Sequence, residues 1–173
     1  MLIRDRSIME KAMSITFDDI RLASTRLETQ QQERKDFLVD MGYKLVREYT
    51  GSLSLPSTHW KDSNNTDRPY VYVGLVNAKD LFQSAPLPSL SLDDDYALSF
   101  KVATIVNDSP LSAGPQYLLS IKMSCNDGRL LVDVANGMKK FTITSFDQDG
   151  CFYEVTAAMK QIIVSALTDA RLN

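Results

Sequence analysis

The chain has 173 residues, 44% hydrophobic and 24% charged, with 19 Lys+Arg against 22 Asp+Glu and a formal net charge of −3. That is the profile of an ordinary globular domain, long enough to bury a core without a disulfide or metal staple, and it gives no general drive toward phosphate backbones or anionic lipid. One histidine, His59, and two cysteines, Cys125 and Cys151, exclude a multi-histidine metal site and a disulfide framework and leave little room for imidazole-dependent catalysis.

Residues 1–13 interleave Arg4, Asp5, Arg6, Glu10 and Lys11 with apolar side chains, which is unlike a secretory leader. No apolar run approaches the ~20 residues of a membrane span, so a cytoplasmic protein without membrane contact is expected. The match of Asn64-Asn65-Thr66 to a glycosylation acceptor is read as chance.

Composition changes near Gly51. Residues 1–50 hold nine basic and nine acidic residues and no proline; residues 51–173 hold all six prolines and six of the seven glycines. The expectation is one domain over 1–173, made of a helical arm (1–50) and an antiparallel sheet closed by a C-terminal helix (51–173).

Thr16 is a helix N-cap, with Asp18 and Asp19 in the first turn and Ile15 and Ile20 spaced as a hydrophobic staple. Ile20, Ala23, Leu27, Leu38, Met41 and Leu45 then follow the helical period, interrupted by the polar run Glu28–Asp36. Good helix formers in that run favour one long helix with a wet middle. Gly42 is a candidate stop, leaving Tyr43–Thr50 open between helix and strand. Apolar patches at both ends suit an antiparallel homodimer, Ile20 and Leu27 of one subunit meeting Leu38, Met41 and Leu45 of the other.

Residues 51–68 read as a loop, followed by strands over Tyr70–Val76, Tyr96–Val106, Tyr117–Cys125, Arg129–Val134 and Lys139–Phe146. Ala85-Pro86-Leu87-Pro88 forces an irregular connection between the first two. Asp127-Gly128 is a two-residue turn that sets Asn126 against Arg129, Met123 against Val132 and Ile121 against Val134. Lys122 then falls opposite Asp133, which makes Asp133 a pairing residue. The C-terminal stripe Phe152, Val155, Met159, Ile162, Ile163, Ala166 and Leu167, with Glu154, Lys160, Gln161 and Asp169 off it, needs a sheet face. The fold class is α+β: an antiparallel sheet of five or six strands packed against a C-terminal helix, with a long N-terminal helix.

No G-x-S-x-G elbow, phosphate loop or dinucleotide fingerprint occurs. Carboxylates are the plentiful reactive groups. The reading by elimination is a non-enzymatic bacterial protein-binding module, without cofactor or metal. It would be a dimeric inhibitor, immunity or chaperone-type protein presenting an acidic surface to another protein. Partner contacts are expected at His59 and Trp60, in a polar loop, and at Asp93, Asp94 and Asp95. The alternatives are a divalent-metal phosphodiesterase using Asp93, Asp94, Asp95 and Lys101, and a cup for an apolar ligand beneath the C-terminal helix.

Overall fold

Thr16 opens the long helix through a capping box. The Asp19 N–H donates to Thr16 Oγ1 at 3.3 Å, and the Asp19 carboxylate accepts from the Thr16 N–H and hydroxyl, each at 2.8 Å. The Thr16 backbone donor, above all, holds the Asp19 carboxyl below its ordinary range. The computed structural model describes residues 2–168 and 170–172, so Asp169 lies outside the described residues. A short helix, α1 (Leu2–Met13), precedes the cap, in a stretch to which the sequence reading gave no element.

The long helix, α2 (Phe17–Ser52), is continuous through the polar run, and it does not stop at Gly42. Gly42 is there for close approach: a Cβ would lie 2.8 Å from Leu87 Cδ1. Tyr43–Thr50 is therefore helical. The chain divides into two units, Met1–Arg34 and Lys35–Asn173, with the boundary inside α2. No helix among the described residues is long and apolar enough to cross a membrane.

The segment read as a loop holds a small antiparallel ladder, β1 (His59–Lys61) with β2 (Asp67–Pro69), pairing Trp60 with Arg68. Three-residue strands in a polar stretch carry no alternation to betray them. The main sheet contains β3 (Val71–Val76), β4 (Phe82–Ser84), β5 (Leu98–Ile105), β6 (Gln116–Asn126), β7 (Arg129–Val134) and β8 (Lys139–Ile143). Its six strands run in the order β4-β3-β5-β6-β7-β8, each pair antiparallel.

The β6–β7 hairpin has the expected register, Asn126 to Arg129 through Ile121 to Val134. Lys122 and Asp133 are cross-strand partners, but their charges turn elsewhere. Lys122 Nζ lies 3.5 Å from Asp93 Oδ2, and Asp133 Oδ1 accepts the Gly137 N–H at 2.6 Å. Asp133 thus ties the β7–β8 turn.

One sheet face, carrying Phe100, Val102, Leu119, Ile121 and Val132, is buried beneath the second half of α2 and α3 (Tyr153–Ala166). The Tyr49 hydroxyl and Thr104 Oγ1 meet at 2.8 Å inside this layer, and burial raises the Tyr49 pKa. Val155, Met159, Ile162 and Ile163 supply the α3 stripe, which ends before the exposed Leu167.

Two side chains one turn apart on α2 hold the segment that leads into α3. Lys44 Nζ donates to the carbonyls of Phe146 and Gln148, both at 2.7 Å. The Glu48 carboxylate accepts the N–H of Gly150 at 2.7 Å and of Phe152 at 3.0 Å. Phe152, the residue at the start of α3, makes no side-chain cap of its own. The cap therefore comes from another helix, and it satisfies backbone donors that the turn would otherwise orphan.

Candidate functional site

The residues assigned to a helix-pair interface separate into two groups. Leu38 and Leu45 are 0% exposed and lie in the core of their own subunit, with Met41 packed partly buried beside them. They are already covered, which corrects the pairing of this patch with a second chain. Ile20 and Leu27 remain exposed.

The exposure of Trp60, left open by the sequence, is decided by the fold: it is 7% exposed, although His59 beside it is open to solvent. Its indole sits against Gly114, where a Cβ would stand 2.5 Å from Trp60 Cη2 and where φ is +67°. Only glycine fits both the backbone and the ring there. Around this contact the β1–β2 ladder and the 112–116 loop border a half-open cleft of about 740 Å³, reaching Tyr72 on β3. Asp62 organises the ladder's turn. Its Oδ1 accepts the N–H of Asn64 at 2.9 Å and of Thr66 at 3.0 Å, and its Oδ2 accepts Arg68 Nε at 3.0 Å. The Thr66 amide, then Arg68, holds this carboxyl below the usual range. The Tyr72 hydroxyl donates to Gln116 Oε1 across the cleft wall. No periodicity in the sequence marks this cleft, because it is assembled from the β1–β2 ladder, the 112–115 loop and single residues of several strands far apart in the chain.

The acidic triplet is divided in role. Asp93 Oδ1 accepts the N–H of Asp95 and of Ala97, each at 2.9 Å, so it closes its own turn before β5. The Ala97 amide is the largest cause holding the Asp93 carboxyl below its ordinary value, with the Asp95 amide and Lys122 adding to it. Asp94 and Asp95 are exposed, and Lys101 Nζ donates to Ser120 Oγ. Among the described residues no group of three or more His, Cys, Asp or Glu is placed to hold a metal ion. Where the apolar cup was expected, fully buried Leu38, Leu45, Phe152, Val155 and Met159 fill the layer between helices and sheet.

The Asp93 turn carries a pH prediction. Its folded-state pKa lies below the ordinary 3.8. The stabilisation is therefore complete above that ordinary value and is lost as pH falls through the lowered one. Thermal melts of wild type and Asp93→Asn should differ at pH 7 by up to about 1 kcal/mol, since the site is solvent-screened, and converge once the pH has fallen below the lowered value. A difference unchanged between those pH values would remove the charge from the explanation.

The chain matches no protein-family model, and no match to it was found among curated proteins or solved structures.

Proposed function

We propose that this protein is a non-enzymatic protein-binding module acting through its N-terminal helices, and that the first partner is a second copy of the chain. One observation carries the reading. Residues 6–30 are exposed throughout although almost all are helical, and they include Ile8, Met9 and Met13 of α1 and Phe17, Ile20 and Leu27 of α2. Phe17 is 75% and Met13 85% exposed. Helices without tertiary packing are marginal in water, and clustered exposed apolar side chains mark an interface. Self-association supplies a cover at no cost in new sequence, because an isologous contact lays the same patch on itself. Ile20 and Leu27 of one subunit would then face the same segment of the other, in place of the covered Leu38, Met41 and Leu45. Exposed Asp94 and Asp95 offer carboxylates to basic groups of a further target, in the manner of an inhibitor, immunity or chaperone-type protein.

Light scattering tests this. The expected mass is twice 19.4 kDa. The double variant Ile20→Glu, Leu27→Glu should give the monomer mass with an unchanged far-ultraviolet signature from the sheet. A wild-type monomer at roughly 50 μM would overturn self-association, because an apolar interface of standard size binds far more tightly.

A further inference from the structure

The sheet face away from α2 and α3 is polar where β5 and β6 cross it. Alternation sends Phe100 and Ile121 into the core and sends Ser99, Lys101, Ser120 and Lys122 out through that face. The register sets Ser99 opposite Lys122 and Lys101 opposite Ser120, so the two lysines stand diagonally across one antiparallel pair. Diagonal neighbours lie within reach of long side chains, and two like charges brought that close repel unless an anion joins them. A depression of about 190 Å³ opens over these four residues, with Asp133 and Asn136 on its β7 side. Every residue of it belongs to the unit Lys35–Asn173, so it uses none of the exposed N-terminal helices.

The charges of the depression do not balance. The half-buried Lys101 donates to Ser120 Oγ, and among the described residues no carboxylate forms an ion pair with it. Lys122 has a loose pair, 3.5 Å from Asp93 outside the depression, with the two side chains 46% and 40% exposed. Asp133 is the one carboxylate of the lining against two ammonium groups, and its Oδ1 accepts the Gly137 N–H. In a chain of net charge −3 this is a local surplus of positive charge. The turn beside it is strained. Ala135, Asn136 and Gly137 take φ of +56°, +54° and +90° in succession, and left-handed backbone is unfavourable for alanine. The Ala135 N–H donates to the Ser120 carbonyl at 2.8 Å, which ties this turn to the lysine-bearing strands and keeps Asn136 at the depression. Backbone strain of this kind collects at binding sites.

Size and charge define the ligand. The volume is below the roughly 300–1,000 Å³ of sites for drug-sized molecules, so a compact ion fits. Two ammonium groups call for a dianion. Uncharged donors come from β5, β6 and the β7–β8 turn: the Ser99 hydroxyl, the Ser120 hydroxyl, whose oxygen accepts from Lys101 and whose proton stays available, and the Asn136 amide. Donors spread over three elements suit a tetrahedral oxyanion better than a planar carboxylate. Asp133 then separates the tetrahedral ions. A carboxylate repels sulfate, which has no proton to give, and accepts a hydrogen bond from the P–OH of hydrogen phosphate. We propose that this depression binds inorganic phosphate, with Lys101 and Lys122 meeting its charge and Asp133 accepting from its hydroxyl.

NMR titration of the ¹⁵N-labelled protein at pH 7 and fixed ionic strength, following the backbone amides of Asn136 and Gly137, tests the site. Sodium phosphate should move both saturably with Kd below about 2 mM, and sodium sulfate should bind at least about tenfold more weakly. Lys101→Met keeps the aliphatic stem and loses the charge, and it should weaken phosphate binding at least about tenfold. Lys139→Met, exposed on β8 and outside the depression, should change it less than about twofold. Asp133→Asn should shrink the preference for phosphate over sulfate to less than about threefold. Amides unmoved at about 20 mM phosphate would overturn the proposal. So would sulfate binding as tightly as phosphate to the wild type, or an equal loss from Lys139→Met, which would mean diffuse surface charge. Should Lys101→Met fail to fold, the wild-type comparison of phosphate with sulfate still decides.

Discussion

Phe152→Ala is expected to cost about 3–5 kcal/mol, the range for removing a large aromatic side chain from a closed core. Phe152 is fully buried and belongs to the same apolar cluster as Leu38, Leu45 and Met159. Its removal therefore opens a cavity inside a closed core. For a chain of this length a loss of that size corresponds to a fall in Tm of roughly 10–15 °C, readable from a circular-dichroism melt. Phe152→Leu should recover more than half of it, since volume matters more than aromaticity in such a position. A loss under about 1 kcal/mol for alanine would mean that the helices do not pack on the sheet as described.

Glu48→Ala should be the next most damaging change, at about 2–4 kcal/mol. The carboxylate holds two backbone donors, Gly150 N–H at 2.7 Å and Phe152 N–H at 3.0 Å, and both bonds are charge-assisted. Alanine leaves the Phe152 donor without a partner and turns the exposed Gly150 donor over to water, at the start of a helix that has no side-chain cap of its own. Glu48→Gln keeps acceptor oxygen and loses charge, so it should lie about midway. Lys44→Ala removes the matching grip on Phe146 and Gln148, and the double variant should be less than additive because both side chains order one segment. Glu154→Ala, exposed on the first turn of α3, is the control and should stay within about 0.5 kcal/mol. Urea melts of the five variants measure all of this, and full additivity would show that the two grips are independent.

What the sequence made legible was whatever is decided locally. Thr16 and Asp19 are three residues apart and close their own box. Asp127-Gly128 admits one turn geometry, and the apolar alternation on either side allows one register, so the β6–β7 pairing follows residue by residue. The illegible parts are decided by distant neighbours. Gly42 reads as a stop, yet its missing side chain admits Leu87 from forty-five positions along the chain. Nothing near Trp60 in its polar loop says whether the ring is buried, and Gly114, fifty-four positions on, is what receives it. The Lys122–Asp133 register is right and the ion pair is not, because Asp93 lies within reach of the same lysine. The candidate cleft follows the same rule. Trp60 was visible as an isolated aromatic, but Pro115 and Gln116, which also line the cleft, lie more than fifty residues on, at the start of β6.

The double grip of Lys44 and Glu48 has a consequence for how the chain is made. Their partners lie 102 to 104 residues later. At about 5–20 residues per second, a ribosome delivers those partners some 5–20 s after α2 has left it. Through that interval Leu38, Leu45 and Tyr49 have no α3 to lie against, and the sheet strands reach them one after another. The second half of the nascent helix therefore offers an incompletely covered apolar face, and its protection until Phe152 arrives falls to whatever holds unfinished chains in the cell.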